Sequence, residues 1–169
     1  MINLRRLLMS LLVSLSLCPG IPIAEQLKPS ISLEELEFLD QFDRPHKLDK
    51  QTKMLFFANS KHAGSLMNNI LSDVPADHLI KLKKVYIADI SGMPSLVTYL
   101  FVLPKIKDIK PPIYLVKEPE QTAWLPRAED KVTVVKLANG KVEHISFTRD
   151  ETTLKRLLDI PPTYAQKES

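Results

Sequence analysis

The chain has 169 residues, 44% of them hydrophobic and 25% charged, which suits one domain with its own core and does not suit a disordered chain. Its formal charge of +3 comes largely from the first 24 residues, which hold Arg5 and Arg6 and no acid; the remainder has 21 Lys and Arg against 20 Asp and Glu. So nearly neutral a body offers no electrostatic footprint for nucleic acid, and that partner class is set aside.

The first segment reads as a targeting signal. Arg5-Arg6 form a charged start, residues 7–17 an apolar stretch, and Cys18-Pro19-Gly20 a turn-forming end before polarity begins at Glu25. An apolar stretch of eleven residues falls short of the roughly 20 that span a bilayer. A cleaved signal peptide over residues 1–24 is therefore expected, with an uncleaved anchor as the alternative. Cleavage after Gly20 or Ala24 leaves a mature chain with no cysteine and no transmembrane segment, exported to a bacterial periplasm. Lipidation at Cys18 is not expected, because Leu17 stands where a small residue belongs and Pro19 follows. The mature chain must hold itself by its core and has no thiol chemistry.

Residues 33–39 suggest a strand or a short helix leading into the turn-like stretch 40–45. Met54-Leu55-Phe56-Phe57-Ala58 is a continuous apolar run, the pattern of a central strand covered on both faces. Beyond it Leu66, Met67, Ile70 and Leu71 recur at helical spacing, with Ser60 as the N-cap. Residues 76–84 read as a connector whose Lys81, Lys83 and Lys84 face water. The stretch 85–94 is a second strand, broken only by Asp89, turning at Ser91-Gly92 into a helix with Pro94 in its first turn. That helix, 94–103, is apolar on almost every side, through Leu96, Val97, Tyr99, Leu100, Phe101, Val102 and Leu103, and Pro104 is expected to end it. A helix of this kind is either buried by its neighbours or docked on a partner.

Ile113-Tyr114-Leu115-Val116 is a further strand, and the polar stretch 117–131 has Trp124-Leu125-Pro126 as its one apolar anchor. Asn139-Gly140 between the runs 132–137 and 142–147 predicts a hairpin. Thr148 and Glu151 have capping-box spacing ahead of a last helix carrying Leu154, Leu157 and Leu158, which stops before Pro161-Pro162. Residues 161–169 are expected to form a flexible tail.

From Met54 onward the order is strand, helix, strand, helix, strand, loop, hairpin, helix. This order, together with the 54–58 run before a helix and the 132–147 hairpin, resembles the thioredoxin-like superfamily in the arrangement of exported thiol-disulfide oxidoreductases and peroxiredoxins. The resemblance implies an α/β fold over residues 25–160: a central mixed sheet, helices on both faces, and a C-terminal hairpin plus helix. The redox members carry their cysteine where the first central strand meets its helix; here that place reads Ser60-Lys61-His62-Ala63-Gly64. The family's proline just before the hairpin is also missing, since Lys131 precedes Val132. What is implied is a domain without the family's thiol catalysis.

No catalytic residue, metal site or cofactor is predicted. Ligands of open α/β sheets favour the carboxyl ends of the strands. Ser60, Lys61, His62, Asp89, Ser91 and Gly92 are therefore the candidate ligand site, for a small ligand or a cofactor-dependent enzyme working through Asp89, His62 and Lys61. Against it stands the reading that Asp89 only caps its turn while Lys61 and His62 face water. His46, His78 and His144 are assigned surface or hydrogen-bonded roles. Leu96, Tyr99, Phe101 and Val102 are the candidate partner face. The leading expectation is a non-catalytic protein-binding or structural component whose partner is another envelope protein.

Overall fold

A computed structural model describes residues 36–161. The expected signal peptide with Cys18, and the tail beyond Pro161, lie outside the described residues. Seven strands form one sheet: β1 (Glu37–Leu39), β2 (Pro45–Lys47), β3 (Met54–Ala58), β4 (Lys84–Asp89), β5 (Ile113–Val116), β6 (Val132–Ala138) and β7 (Lys141–Thr148), in the order β2-β1-β5-β4-β3-β6-β7. β3, β4 and β5 run parallel at its centre, and antiparallel pairs extend it on both sides.

The helices are α1 (Lys61–Leu71), α2 (His78–Lys81), α3 (Ser95–Val97), α4 (Leu103–Lys107) and α5 (Glu151–Leu157). The chain steps from β3 to β4 to β5 in one direction across the sheet, so right-handed crossovers place α1 and the α3–α4 segment on the same face. The core follows from this. On the helical face Phe56, Tyr86, Ile113 and Val134 of the sheet pack with Met67 and Leu71 of α1, Leu79 of α2, Ile106 of α4 and Leu154 of α5. On the other face Leu55, Phe57, Ile87 and Val135 pack with Phe38, Leu48 and Leu125, under Trp124. Cover there comes from a 3-10 turn (Pro119–Thr122) and loops, so the two faces are covered unequally. Leu55, Phe56 and Phe57 are wholly buried, which is why 54–58 reads as an unbroken apolar run.

The local expectations at β3, α1 and the hairpin hold. Ser60 caps α1, its Oγ accepting from the Ala63 N–H at 3.2 Å. Asn139 and Gly140 have φ of 51° and 73°, the paired left-handed backbone of a two-residue hairpin turn. Residues 37–39 are a strand.

Three details differ from expectation. Pro104 does not end its helix: α3 passes through a π-helical turn (Thr98–Val102) into α4, where Pro104 sits in the first turn. A proline inside an α-helix lacks a donor and clashes with the carbonyl four residues back; restarting the helix just before it removes both problems. The N-cap of α5 is Asp150 rather than Thr148, its carboxylate accepting from the Thr153 N–H at 2.8 Å, because β7 runs on to Thr148 and pairs it with Val132. Lys84 is not a solvated connector lysine: it opens β4, its side chain is 9% exposed, and it pairs with Asp159.

Candidate functional site

The carboxyl ends of β3 and β4 open onto a cleft of about 600 Å³. Ser60 and Lys61 at the start of α1, Asp89 at the end of β4, and Ser91 and Gly92 in the turn after it all line this cleft. His62 does not; it is exposed on α1. Five of the six candidate ligand residues are thus brought to one place.

Asp89 is nevertheless committed to its own turn and to a partner absent from the sequence reading. Its Oδ1 accepts from the Ser91 N–H at 3.0 Å and the Ser91 hydroxyl at 2.6 Å, the cap of the following turn. Its Oδ2 accepts from Arg127 Nη2 at 3.1 Å. Arg127 also donates to the carbonyls of Thr122 and Leu125 and to the Thr122 hydroxyl, and its guanidinium lies 5.2 Å from the Phe57 ring centroid. With the Asp89 side chain 10% exposed, this is an ion pair at the edge of the core, with hydrogen bonds serving both partners. It fastens the loop before β6 to the end of β4. The Thr133 hydroxyl reinforces that fastening by donating to the Pro126 carbonyl at 2.9 Å. Both carboxylate oxygens are thus engaged, by Ser91 and by Arg127.

Asn59 is the second residue missing from the sequence reading. It directly follows β3 and lines the cleft, and its Oδ1 is buried without a hydrogen-bond partner among the described residues. Such an acceptor is an unmet hydrogen-bonding capacity beside the cleft. Asn59 next to an apolar strand was visible in the sequence; that its oxygen would be orphaned was not. Arg127 carried a weaker signal, as the cation directly after the Trp124-Leu125-Pro126 anchor.

The partner-face candidates separate into two groups. Leu96, Tyr99 and Phe101 are 69%, 71% and 63% exposed, and Val97 and Leu100 join them on the surface. Val102 turns inward and packs on the helical-side core. The exposed ridge therefore spans α3 and the π-turn. Among the described residues no helix is long and apolar enough to cross a membrane, and no three His, Cys, Asp or Glu gather as a metal would require.

The remaining histidines have structural partners or face water. The His46 ring stacks on Tyr114 at 4.8 Å and bonds the Asp40 carboxylate at 3.0 Å; His78 Nε2 donates to the Leu158 carbonyl at 2.8 Å; His144 is exposed.

No family model matches the chain, and no curated protein matches it. Among solved structures it is similar to an exposed lipoprotein thioredoxin from Streptococcus pneumoniae, at 10% identity over 73% of this chain and 96% of that one, with a TM-score of 0.47. It is similar to the peroxidoxin BcpB from Mycobacterium tuberculosis, at 13% identity over 79% and 93%, TM-score 0.47. StoA from Bacillus subtilis is another, at 13% identity over 75% and 98%, TM-score 0.48. The strand order, the parallel centre and the terminal hairpin with its helix give this chain a thioredoxin-like fold.

Proposed function

We propose that the protein is an exported, non-catalytic thioredoxin-like domain that works by binding another protein of the cell envelope through the ridge formed by Leu96, Tyr99 and Phe101. The observation that carries this reading is the exposure of that ridge: three large apolar side chains, each more than 60% exposed, on one short helical segment. Isolated exposed apolar residues are ordinary, but a contiguous group on one element marks an interaction surface. Residues 94–103 contain no charge, whereas Lys105, Lys107 and Lys110 follow at once and are exposed. The partner this fits has an apolar groove bounded by acidic residues, the helix-in-groove mode of recognition. The only cysteine in the sequence is Cys18, so disulfide exchange and peroxide reduction have no thiolate at the head of α1.

The test is site-specific photocross-linking of the full chain in its own envelope, with the photoreactive residue at position 99 or, as control, at position 141 in the hairpin. A discrete adduct with a second protein from position 99 alone is expected, and it should disappear in the Leu96→Asp/Phe101→Asp variant. No adduct, an adduct with a second copy only, or the same adducts from both positions would sink the reading.

A small ligand in the Asp89 cleft is the second reading, favoured by the orphaned Asn59 Oδ1. Such a ligand would present an N–H or O–H to Asn59. Acid–base work through Asp89 with His62 has less support, since Asp89 is held by Arg127 and Ser91.

A further inference from the structure

At the opposite pole from Asp89, where β3 and β4 begin, lies a second cleft, of about 810 Å³. Its lining brings together Lys50, Lys53, Lys83, Lys84, Lys136 and Arg156, with Asp159 as the one acid. We propose that this cleft binds a phosphate-bearing ligand, a small polyanion with at least two negative charges.

Several observations point there. Six cations converge in a body that is nearly neutral as a whole, and they come from four separate stretches of chain. Without an anion their mutual repulsion disfavours the folded state; an anion in the cleft offsets it. The arrangement is also built rather than incidental. Met54 lies in register between Lys84 on β4 and Lys136 on β6, so those two lysines stand two strand spacings apart, about 10 Å, on the helical face.

The backbone beneath is tied together. The Lys53 N–H donates to the Lys83 carbonyl at 2.8 Å, and the Leu137 N–H donates to the Lys53 carbonyl at 2.9 Å. The second bond continues the β3–β6 register one residue beyond the Met54–Lys136 pair, and the β6–β7 pairing shifts register beside it, between Lys136 and Leu137. Lys83 adopts a left-handed backbone with φ of 54°, as does Asp159 at 53°.

The charges are only partly answered from within. Lys84 is paired with Asp159, and Lys136 with Glu143 at 3.1 Å on the exposed surface. Lys83 reaches Asp49 only at 3.8 Å, while Lys53 and Arg156 form no ion pair among the described residues. Phosphate suits such a ring better than a single carboxylate, because its several oxygens accept from a guanidinium fork and from ammonium groups on different sides.

The experiment is calorimetric titration of the full chain with inorganic pyrophosphate at low and at moderate salt, followed by vesicles containing phosphatidic acid. Saturable pyrophosphate binding that weakens with salt is expected. The Lys53→Glu/Arg156→Glu variant, both changes being on exposed side chains, should bind about tenfold or more weakly. Lys105→Glu/Lys107→Glu, on α4, should bind as the parent does. Binding of both probes, each lost in the cleft variant, would place the phosphate on a lipid headgroup; pyrophosphate binding alone would place it on a soluble ligand. Absence of pyrophosphate binding at millimolar concentration overturns the proposal, whatever the vesicles do. So does equal weakening by both charge-reversal pairs.

Discussion

Asp40 shows how one buried acid organises a turn. Its side chain is fully buried, and its carboxylate accepts from the N–H groups of Phe42 and Arg44, from the Arg44 guanidinium and from His46. Burial pushes its pKa up, but the Arg44 N–H, the His46 ring, the Phe42 N–H and the Arg44 side chain together hold it below the ordinary carboxylate value. A carboxylate with a depressed folded-state pKa contributes stability that is present above its unfolded value, near 3.8, and is lost as pH falls through the folded one. Asp40→Asn should therefore be less stable at pH 7 by about 1–3 kcal/mol, and its stability should fall less than the parent's between about pH 4 and pH 2. Denaturant melts across that range check it; parallel acid slopes would contradict the assignment. Asn59 gives the opposite sign. Because its Oδ1 has no partner, Asn59→Leu should leave stability unchanged or raise it by up to about 1 kcal/mol, read as a shift in thermal midpoint. A clear loss would mean that the oxygen is bonded in solution.

At the scale of elements, the hairpin and the π-turn segment behave differently. Gly140 sits at φ 73° with its nearest outside neighbour, Lys50 Cγ, 3.6 Å from where a Cβ would lie. Space is sufficient, so Gly140→Ala should cost only the left-handed backbone penalty, about 1 kcal/mol in equilibrium unfolding. The α3–α4 segment should tolerate far more drastic changes on its outer side. Leu96→Asp/Phe101→Asp removes no core contact and should leave the thermal midpoint within about 2 °C of the parent. A large destabilisation would mean that these side chains are buried in the protein in solution.

For the molecule as a whole, what was legible in the sequence was whatever one stretch of chain decides alone. The 54–58 run, the Ser60 cap and Asn139-Gly140 each fix local structure through hydrophobic burial, one hydrogen bond or backbone sign, and the order of elements then led to the fold. Contacts across long separations were not legible. Arg127 meets Asp89 from 38 residues away, and nothing in the run 85–94 names its counter-charge. The basic cleft is assembled from residues near positions 50, 83, 136 and 156, so it exists only once the sheet has been ordered. Pro104 misled for a physical reason as well: the sequence shows a helix breaker, while the structure restarts the helix one residue ahead of it.

The central claim is that this thioredoxin-like fold serves as a binding module through the Leu96, Tyr99 and Phe101 ridge. Native mass spectrometry tests it most directly, on the parent and the Leu96→Asp/Phe101→Asp variant, each isolated gently from cells that produce it. The account predicts a stoichiometric second protein on the parent and none on the variant. A second protein retained by the variant, or a parent carrying a small molecule at the Asp89 cleft and no protein, would contradict it.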